Sequence, residues 1–199
     1  MLHFYYGVMG SSKTAQLLMQ RYNYQQLGLK VALIKPAIDT RMSANNVYSR
    51  AGLQAKAEIV LESHHSVREQ LAWLAVQNAF MDYQFVLVDE AQFLSEAQVQ
   101  EMADMAMDLE IYCYGLRTDF MGNFFPGSAA LLRLAEDIAE VPGGLCWCGR
   151  KATMNTRIDP AGRVIKEGEQ VLIDSQLKDI RYIGLCYEHW RKGISSANG

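Results

Sequence analysis

Short apolar runs alternate with longer amphipathic stretches through the first two thirds of the chain. The runs Leu2–Tyr6, Val31–Ile34, Phe85–Val88 and Ile111–Tyr114 have the length and the β-branched or aromatic content of buried strands. Between them, residues 13–27 and 66–80 carry helical spacing, with Val67, Leu71 and Leu74 on one face. Ser95 opens another helix, where its hydroxyl can accept from first-turn amides and Gln98 is the reciprocal partner of a capping box. A further helix is predicted over residues 128–140. Strands alternating with helices predict an α/β fold, a mostly parallel sheet flanked by helices.

The pattern breaks at Pro142-Gly143-Gly144, where proline and glycine punctuate the chain. The reading is therefore a first domain over residues 1–141, a small second unit over 142–193, and a disordered tail at 194–199. Within the second unit, residues 159–179 mix glycine, proline and charge with brief apolar islands, the composition of a flexible loop or hairpin.

Composition narrows the function classes. A chain of 199 residues that is 50% hydrophobic can bury one full core with an appendage. A formal net charge of −3 and a pI near 5.8 argue against a dedicated nucleic-acid binder. No stretch reads as a signal peptide, and none approaches the roughly 18 to 20 apolar residues of a membrane span. A cytoplasmic protein is expected.

Gly7-Val8-Met9-Gly10-Ser11-Ser12-Lys13-Thr14 follows the first strand and opens the first helix, the context of a phosphate-binding loop. Backbone amides at a helix start converge on phosphate oxygens, Lys13 neutralises charge, and the Thr14 hydroxyl can ligate Mg²⁺. Ser12 stands where the loop usually has glycine and adds a Cβ at a position that favours a glycine-only conformation. Alone, the loop is also compatible with an ordinary strand-to-helix turn. Phe85-Val-Leu-Val-Asp89-Glu90 changes that balance, because it is an apolar strand ending in two acids. Asp89 there can reach a magnesium shell. Glu90, pointing elsewhere, can take a proton from an acceptor hydroxyl.

Three of the four cysteines, Cys146, Cys148 and Cys186, fall near the end of the chain with His189. Two local pairs giving three thiols and one imidazole match a closed tetrahedral zinc site, a structural one since no position is left vacant. Cys113, between two tyrosines, reads as a core residue, and Met102, Met105 and Met107 read as helix packing. His3, His64 and His65 have no ligand spacing.

Taken together, these segments resemble the type II thymidine kinases over about residues 1–192. The marks are Gly7 to Thr14, Asp39-Thr-Arg41, Asp89-Glu90-Ala-Gln92-Phe93, and Tyr114-Gly-Leu-Arg-Thr-Asp-Phe120 through Phe125. Cys146-x-Cys148 with Cys186-x-x-His189 looks like the zinc pattern of one bacterial branch. The resemblance implies a P-loop kinase that transfers the γ-phosphoryl group of ATP to the 5′-hydroxyl of thymidine, with Mg²⁺ and structural Zn²⁺. It implies that Ser12, Lys13 and Thr14 hold phosphates and Mg²⁺, with Asp39, Arg41 and Asp89 around the metal and the transferring group, and that Glu90 is the base. Met9, Gln92, Phe93, Leu116, Phe120 and Phe125 fall at positions near the deoxyribose or thymine, Phe120 at the ring that stacks on the base. Tyr182 matches the tyrosine of the loop closing over the nucleoside. Family members are generally tetrameric or dimeric, are often inhibited by the triphosphate end product dTTP, and have neither membrane nor nucleic acid as partner.

The chain departs from the family pattern at three places. Ser12 replaces the loop glycine; residues 173–182 lack the usual Gly-Gly and run about three residues longer; and Asn155 lies where some members place a threonine near the thymine methyl. Two other readings stand beside the kinase. One is a nucleotide-binding protein of the same fold with impaired turnover. The other is a helicase fragment suggested by Asp89-Glu90-Ala-Gln92, which would need a second motor domain.

Overall fold

The computed structural model describes residues 1–38, 45–79, 81–171 and 180–197. In chain order the elements are β1 (Leu2–Tyr6), α1 (Lys13–Gln26), β2 (Val31–Pro36), β3 (Asn46–Tyr48), β4 (Gln54–Lys56), β5 (Ile59–Leu61) and α2 (Val67–Gln77). They continue with β6 (Phe85–Val88), a 3-10 turn (Ala91–Phe93), α3 (Glu96–Met105), β7 (Glu110–Gly115), α4 (Pro126–Leu134) and β8 (Asp137–Glu140). The small second unit holds β9 (Met154–Ile158), β10 (Val164–Ile165), β11 (Arg181–Leu185) and α5 (Tyr187–Lys192).

Six strands form one parallel sheet in the order β5-β2-β6-β7-β1-β8, so the expected mostly parallel α/β architecture is present. Phe4, Leu33, Ile34, Leu87 and Ile111 are fully buried, each contributing about 1.5–3 kcal/mol of hydrophobic stabilisation. Residues on one face of the sheet pack against α2, α3 and α4, while α1 and the β3–β4 hairpin cover the other through Leu17, Leu18, Val47 and Ala57. Cys113 is fully buried in this core, and burial pushes its thiol well above the usual range.

Local chemistry sets the helix starts. Ser66 accepts from the Glu69 amide at 3.3 Å. Ser95 and Gln98 form the predicted capping box at 3.0 and 3.2 Å. The Gln98 side chain also donates to the carbonyls of Glu62 and His65 at 2.7 and 3.0 Å, tying α3 to the segment that leads into α2.

The helix expected over 128–140 ends at Leu134, and residues 137–140 instead form strand β8. The reason lies in the contacts of Asp137. Its carboxylate meets His3 Nδ1 at 2.9 Å and accepts from the Tyr5 hydroxyl at 3.2 Å, and β8 pairs with β1 from His3 to Tyr6. His3 also meets Glu110 at 2.9 Å and stacks on Tyr112 at 4.2 Å, so strands β8, β1 and β7 are pinned together at their amino ends. The hydrogen bond from His3 holds the Asp137 carboxyl below its ordinary value. Met107 is a second correction: Met102 and Met105 are buried, but Met107 lies past the helix and is 83% exposed.

In the second unit β9 is the middle strand of an antiparallel sheet, β10-β9-β11, and every one of its residues is buried. Of the stretch read as a loop or hairpin over 159–179, β10 lies within it and pairs with β9, which precedes it, with Val164 opposite Ile158; the part over 172–179 lies outside the described residues. In the segment read as a tail, the Ile194 amide donates to the His189 carbonyl at 3.0 Å, and the Ser195 hydroxyl donates to the Gly162 carbonyl.

Gly127 sets how closely α4 approaches the acidic end of β6. A Cβ there would lie 2.6, 2.8 and 2.9 Å from the carbonyl oxygens of Ala91, Leu94 and Gln92, all backbone atoms that cannot swing aside. Gly127→Ala is expected to destabilise the protein by about 1–3 kcal/mol, read as a lower midpoint in urea denaturation.

Candidate active site

Parallel strands put their carboxyl ends at one edge, and β7 lies between β1 and β6. The loop after β1 and the acids after β6 are therefore separated by one strand. Gly7 enters the loop with its amide donating to the Gly115 carbonyl at 3.2 Å, and the Ser11 amide returns to the Val8 carbonyl at 3.2 Å. Gly10 has φ 83° and Ser12 φ 64°. Ser12 thus occupies the left-handed conformation that costs an L-residue roughly 1–2 kcal/mol, the strain its position in the motif predicted. Lys13 is buried and donates to the Gly7 and Val8 carbonyls at 3.0 and 2.9 Å.

Thr14 joins the two halves of the site. Its hydroxyl lies 3.1 and 3.2 Å from the two carboxylate oxygens of Asp89. A hydroxyl and a carboxylate converging at the foot of a phosphate loop are the donor set that Mg²⁺ takes in such sites, since this hard cation prefers oxygen ligands. Glu90, the next residue, has φ 50°, in the left-handed region. The Gln92 amide donates to the Glu90 carboxylate at 2.5 Å and accepts from the Leu116 amide at 2.9 Å. Gln92 is fully buried, so it fixes the Glu90 carboxylate to the end of β7. Gly115 makes room for this bridge, because a Cβ there would stand 2.8 Å from the Gln92 side-chain oxygen.

The aromatic positions gather on the same edge. Phe93 and Phe125 meet edge to face at 5.6 Å. Phe120 is buried, and the Arg157 guanidinium lies over its ring at 3.6 Å. Arg157 also donates to the Tyr182 hydroxyl at 2.9 Å and to the Glu169 carbonyl at 2.9 Å. Asp39 and Arg41 lie outside the described residues.

Asn155, which the resemblance set near the thymine methyl, and Arg157, which the sequence reading did not place in the site, lie two residues apart on β9. Asn155 accepts from the Met9 amide at 2.8 Å and donates to the Thr118 carbonyl at 2.7 Å. It therefore ties the loop after β1 to the Leu116–Phe125 segment. Arg157 lies two residues on. The available signal was a run of three polar residues, Asn155-Thr156-Arg157, between apolar Met154 and Ile158; buried in a strand, such residues need partners elsewhere.

At the other end of the small unit, the ligand atoms of Cys146, Cys148, Cys186 and His189 all lie within 4.8 Å of one another. The Cys146 and Cys186 sulfurs stand 3.3 and 3.5 Å from His189 Nδ1. Zinc–sulfur bonds of about 2.3 Å and zinc–nitrogen bonds of about 2.0–2.1 Å give tetrahedral edges of about 3.5–3.8 Å, so the cluster is compatible with structural zinc. The Arg150 side chain draws the Cys148 thiol down to about 6, toward the thiolate a metal takes, while burial pushes Cys146 up. Lys192 and Arg150 together hold Glu188 down to about 2. Trp147 stacks on His189 at 4.2 Å.

No helix among the described residues is long and apolar enough to cross a membrane. Comparison with known proteins gives one consistent answer. The thymidine kinase family model matches residues 1–190. A thymidine kinase of Yersinia pseudotuberculosis is 37% identical over 98% of this chain and 97% of its own length. One from Legionella pneumophila is 41% identical over 96% and 90%, and one from Escherichia coli K12 is 38% identical over 97% and 91%. A solved structure, Pif1 helicase from Candida albicans, superimposes at a TM-score of 0.42 with 12% identity, over 70% of this chain and 36% of that one, too distant to bear on function. A family match across almost every residue, with relatives aligned nearly end to end, means that the chain belongs to the thymidine kinase family.

Proposed function

We propose that the protein is a cytoplasmic thymidine kinase that transfers the γ-phosphoryl group of ATP to the 5′-hydroxyl of thymidine, and of deoxyuridine more weakly, giving dTMP for nucleotide salvage. The observation that carries this reading is the Thr14 hydroxyl on the Asp89 carboxylate, one residue from an acid held separately by Gln92. Phosphoryl transfer asks the protein mainly for position and charge neutralisation. The loop amides and Lys13 bind the donor phosphates, with Asp39 and Arg41 beside them. Thr14 and Asp89 would hold Mg²⁺, which when bound neutralises charge on the β- and γ-phosphates.

Glu90 takes the proton from the 5′-hydroxyl as that oxygen attacks, and its bond to Gln92 keeps the accepting oxygen in place. Phe120 offers its ring to the pyrimidine, with Phe93, Phe125, Leu116, Met9 and Gln92 around the sugar and base and Tyr182 at the stem of the closing loop. Zinc in the Cys146, Cys148, Cys186 and His189 cluster is structural, since four protein ligands leave no open position. The strained Ser12 is the specific feature favouring the second reading, a nucleotide-binding protein with impaired turnover. The assembly is a homotetramer or homodimer, with dTTP as feedback inhibitor.

Folded protein incubated with labelled ATP, Mg²⁺ and a panel of deoxynucleosides should yield labelled monophosphate from thymidine first; no label on any nucleoside would favour the impaired protein. Glu90→Gln keeps the shape and the contact with Gln92 but removes the base, and general-base loss lowers turnover about 10²–10⁴-fold. A kcat within a few fold of the parent would remove Glu90 from the role. Elemental analysis should give one zinc per chain, and chelation should lower the thermal midpoint; full stability after verified metal removal would count against a structural ion.

A further inference from the structure

Of the two apolar side chains in the phosphate loop, Met9 is partly exposed and Val8 is buried. The methyl groups of Val8 meet the small unit. A Cβ on Gly144 would stand 2.4 Å from Val8 Cγ2, and one on Gly184 would stand 3.3 Å from the same carbon. The Cβ on Gly184 would also lie 3.0 Å from the methyl carbon of Ala152. Gly144, Ala152 and Gly184 thus form a socket of minimal side chains around a branched knob. Neither glycine has a positive φ, so glycine is needed at these positions for close approach and not for an unusual backbone conformation.

The socket is cross-linked. The Ala152 amide donates to the Gly144 carbonyl at 2.9 Å, and the Thr153 amide to the Leu185 carbonyl at 2.9 Å. Its residues also adjoin the Cys/His cluster: Gly144 shortly precedes Cys146, Ala152 follows Cys148, and Gly184 precedes Cys186. Gly184 pairs with Asn155 across β11 and β9, and Asn155 accepts from the Met9 amide at 2.8 Å. One pair of strands therefore holds both the Val8 side chain and the peptide group that joins Val8 to Met9.

The other end of that peptide group faces into the loop. Its oxygen, the Val8 carbonyl, accepts from the Ser11 amide at 3.2 Å and from the Lys13 ammonium at 2.9 Å. The orientation of this peptide sets the turn through Ser11 and the placing of the lysine. Ser12, in the same turn, is held at φ 64°, a strained conformation that persists only where the surroundings over-determine it. We propose that Val8 is a positioning residue: seated in the Gly144, Ala152 and Gly184 socket, it locks the phosphate loop in the shape that takes the donor phosphates. The proposal rests on the reading of this loop as the donor site of a kinase.

The test compares the full-length parent with Val8→Ala, Val8→Thr, Gly144→Ala and the variant carrying both Val8→Ala and Gly144→Ala, in initial-rate assays with Mg-ATP and thymidine. Val8→Ala should lower kcat/KM for ATP about 10²-fold, the loss that a misplacement of about 1 Å brings, with the thymidine KM within about threefold. Val8→Thr, the conservative variant, keeps the branched shape but buries a hydroxyl; it should also lower the thermal midpoint, yet regain most of the kcat/KM for ATP. Gly144→Ala should displace Val8 and lose as much as Val8→Ala. The double variant, which moves a methyl from one side of the contact to the other, should recover most of that loss. A kcat/KM for ATP in Val8→Ala within about threefold of the parent overturns the proposal. So does a Val8→Thr that falls as far as Val8→Ala, which makes stability the cause, or a double variant no better than Gly144→Ala. If the parent transfers no phosphate, the kinase reading is what fails. Amide hydrogen exchange over residues 7–14 then decides on Val8: faster exchange in both single alanine variants, restored in the double, supports the seat, and equal exchange in parent and variants excludes it.

Discussion

The parallel pairing of β6, β7 and β1 is the constraint on which the site depends. Because parallel strands all run the same way, the turns that follow them leave from one edge, and a single intervening strand sets the distance between the phosphate loop and the paired acids. In that register the Thr14 hydroxyl rests on Asp89. The buried Gln92 bridge to Glu90 and Leu116 repeats the logic one strand over, linking the end of β6 to the end of β7. The hydrophobic faces of the sheet stabilise this spacing from both sides, so the geometry of this edge is supported by the core.

Most of the main domain was legible because its signals are local. A strand run, a glycine-rich loop and a Ser95–Gln98 pair each state their own conformation, and the structure follows them. Residues 137–140 escaped because their helical spacing was overridden by a partner far away in sequence: Asp137 finds His3 and Tyr5 only once β1 and β8 are neighbours. Met107 escaped for a related reason, since a helix that stops at Met105 no longer turns it inward.

The candidate site divides along the same line. Gly7 to Thr14, Asp89, Glu90 and the Cys/His cluster are short-range patterns and could be read as such. Asn155 and Arg157 act across long sequence separations, joining β9 to Met9, Thr118, Phe120 and Tyr182. Their type alone marks them as polar residues in a buried strand. What they hold becomes visible only when the small unit is folded against the large one.

The Asn155 bridge has an evolutionary consequence. One side chain accepts from the donor loop and donates to the segment that leads to Phe120, using both ends of its amide. A substitution at this position that removes either end of the amide releases the Met9 amide or the Thr118 carbonyl, so the conformations of the two segments cannot drift independently here. Change at this position is therefore steered toward residues that can accept from one segment and donate to the other at once.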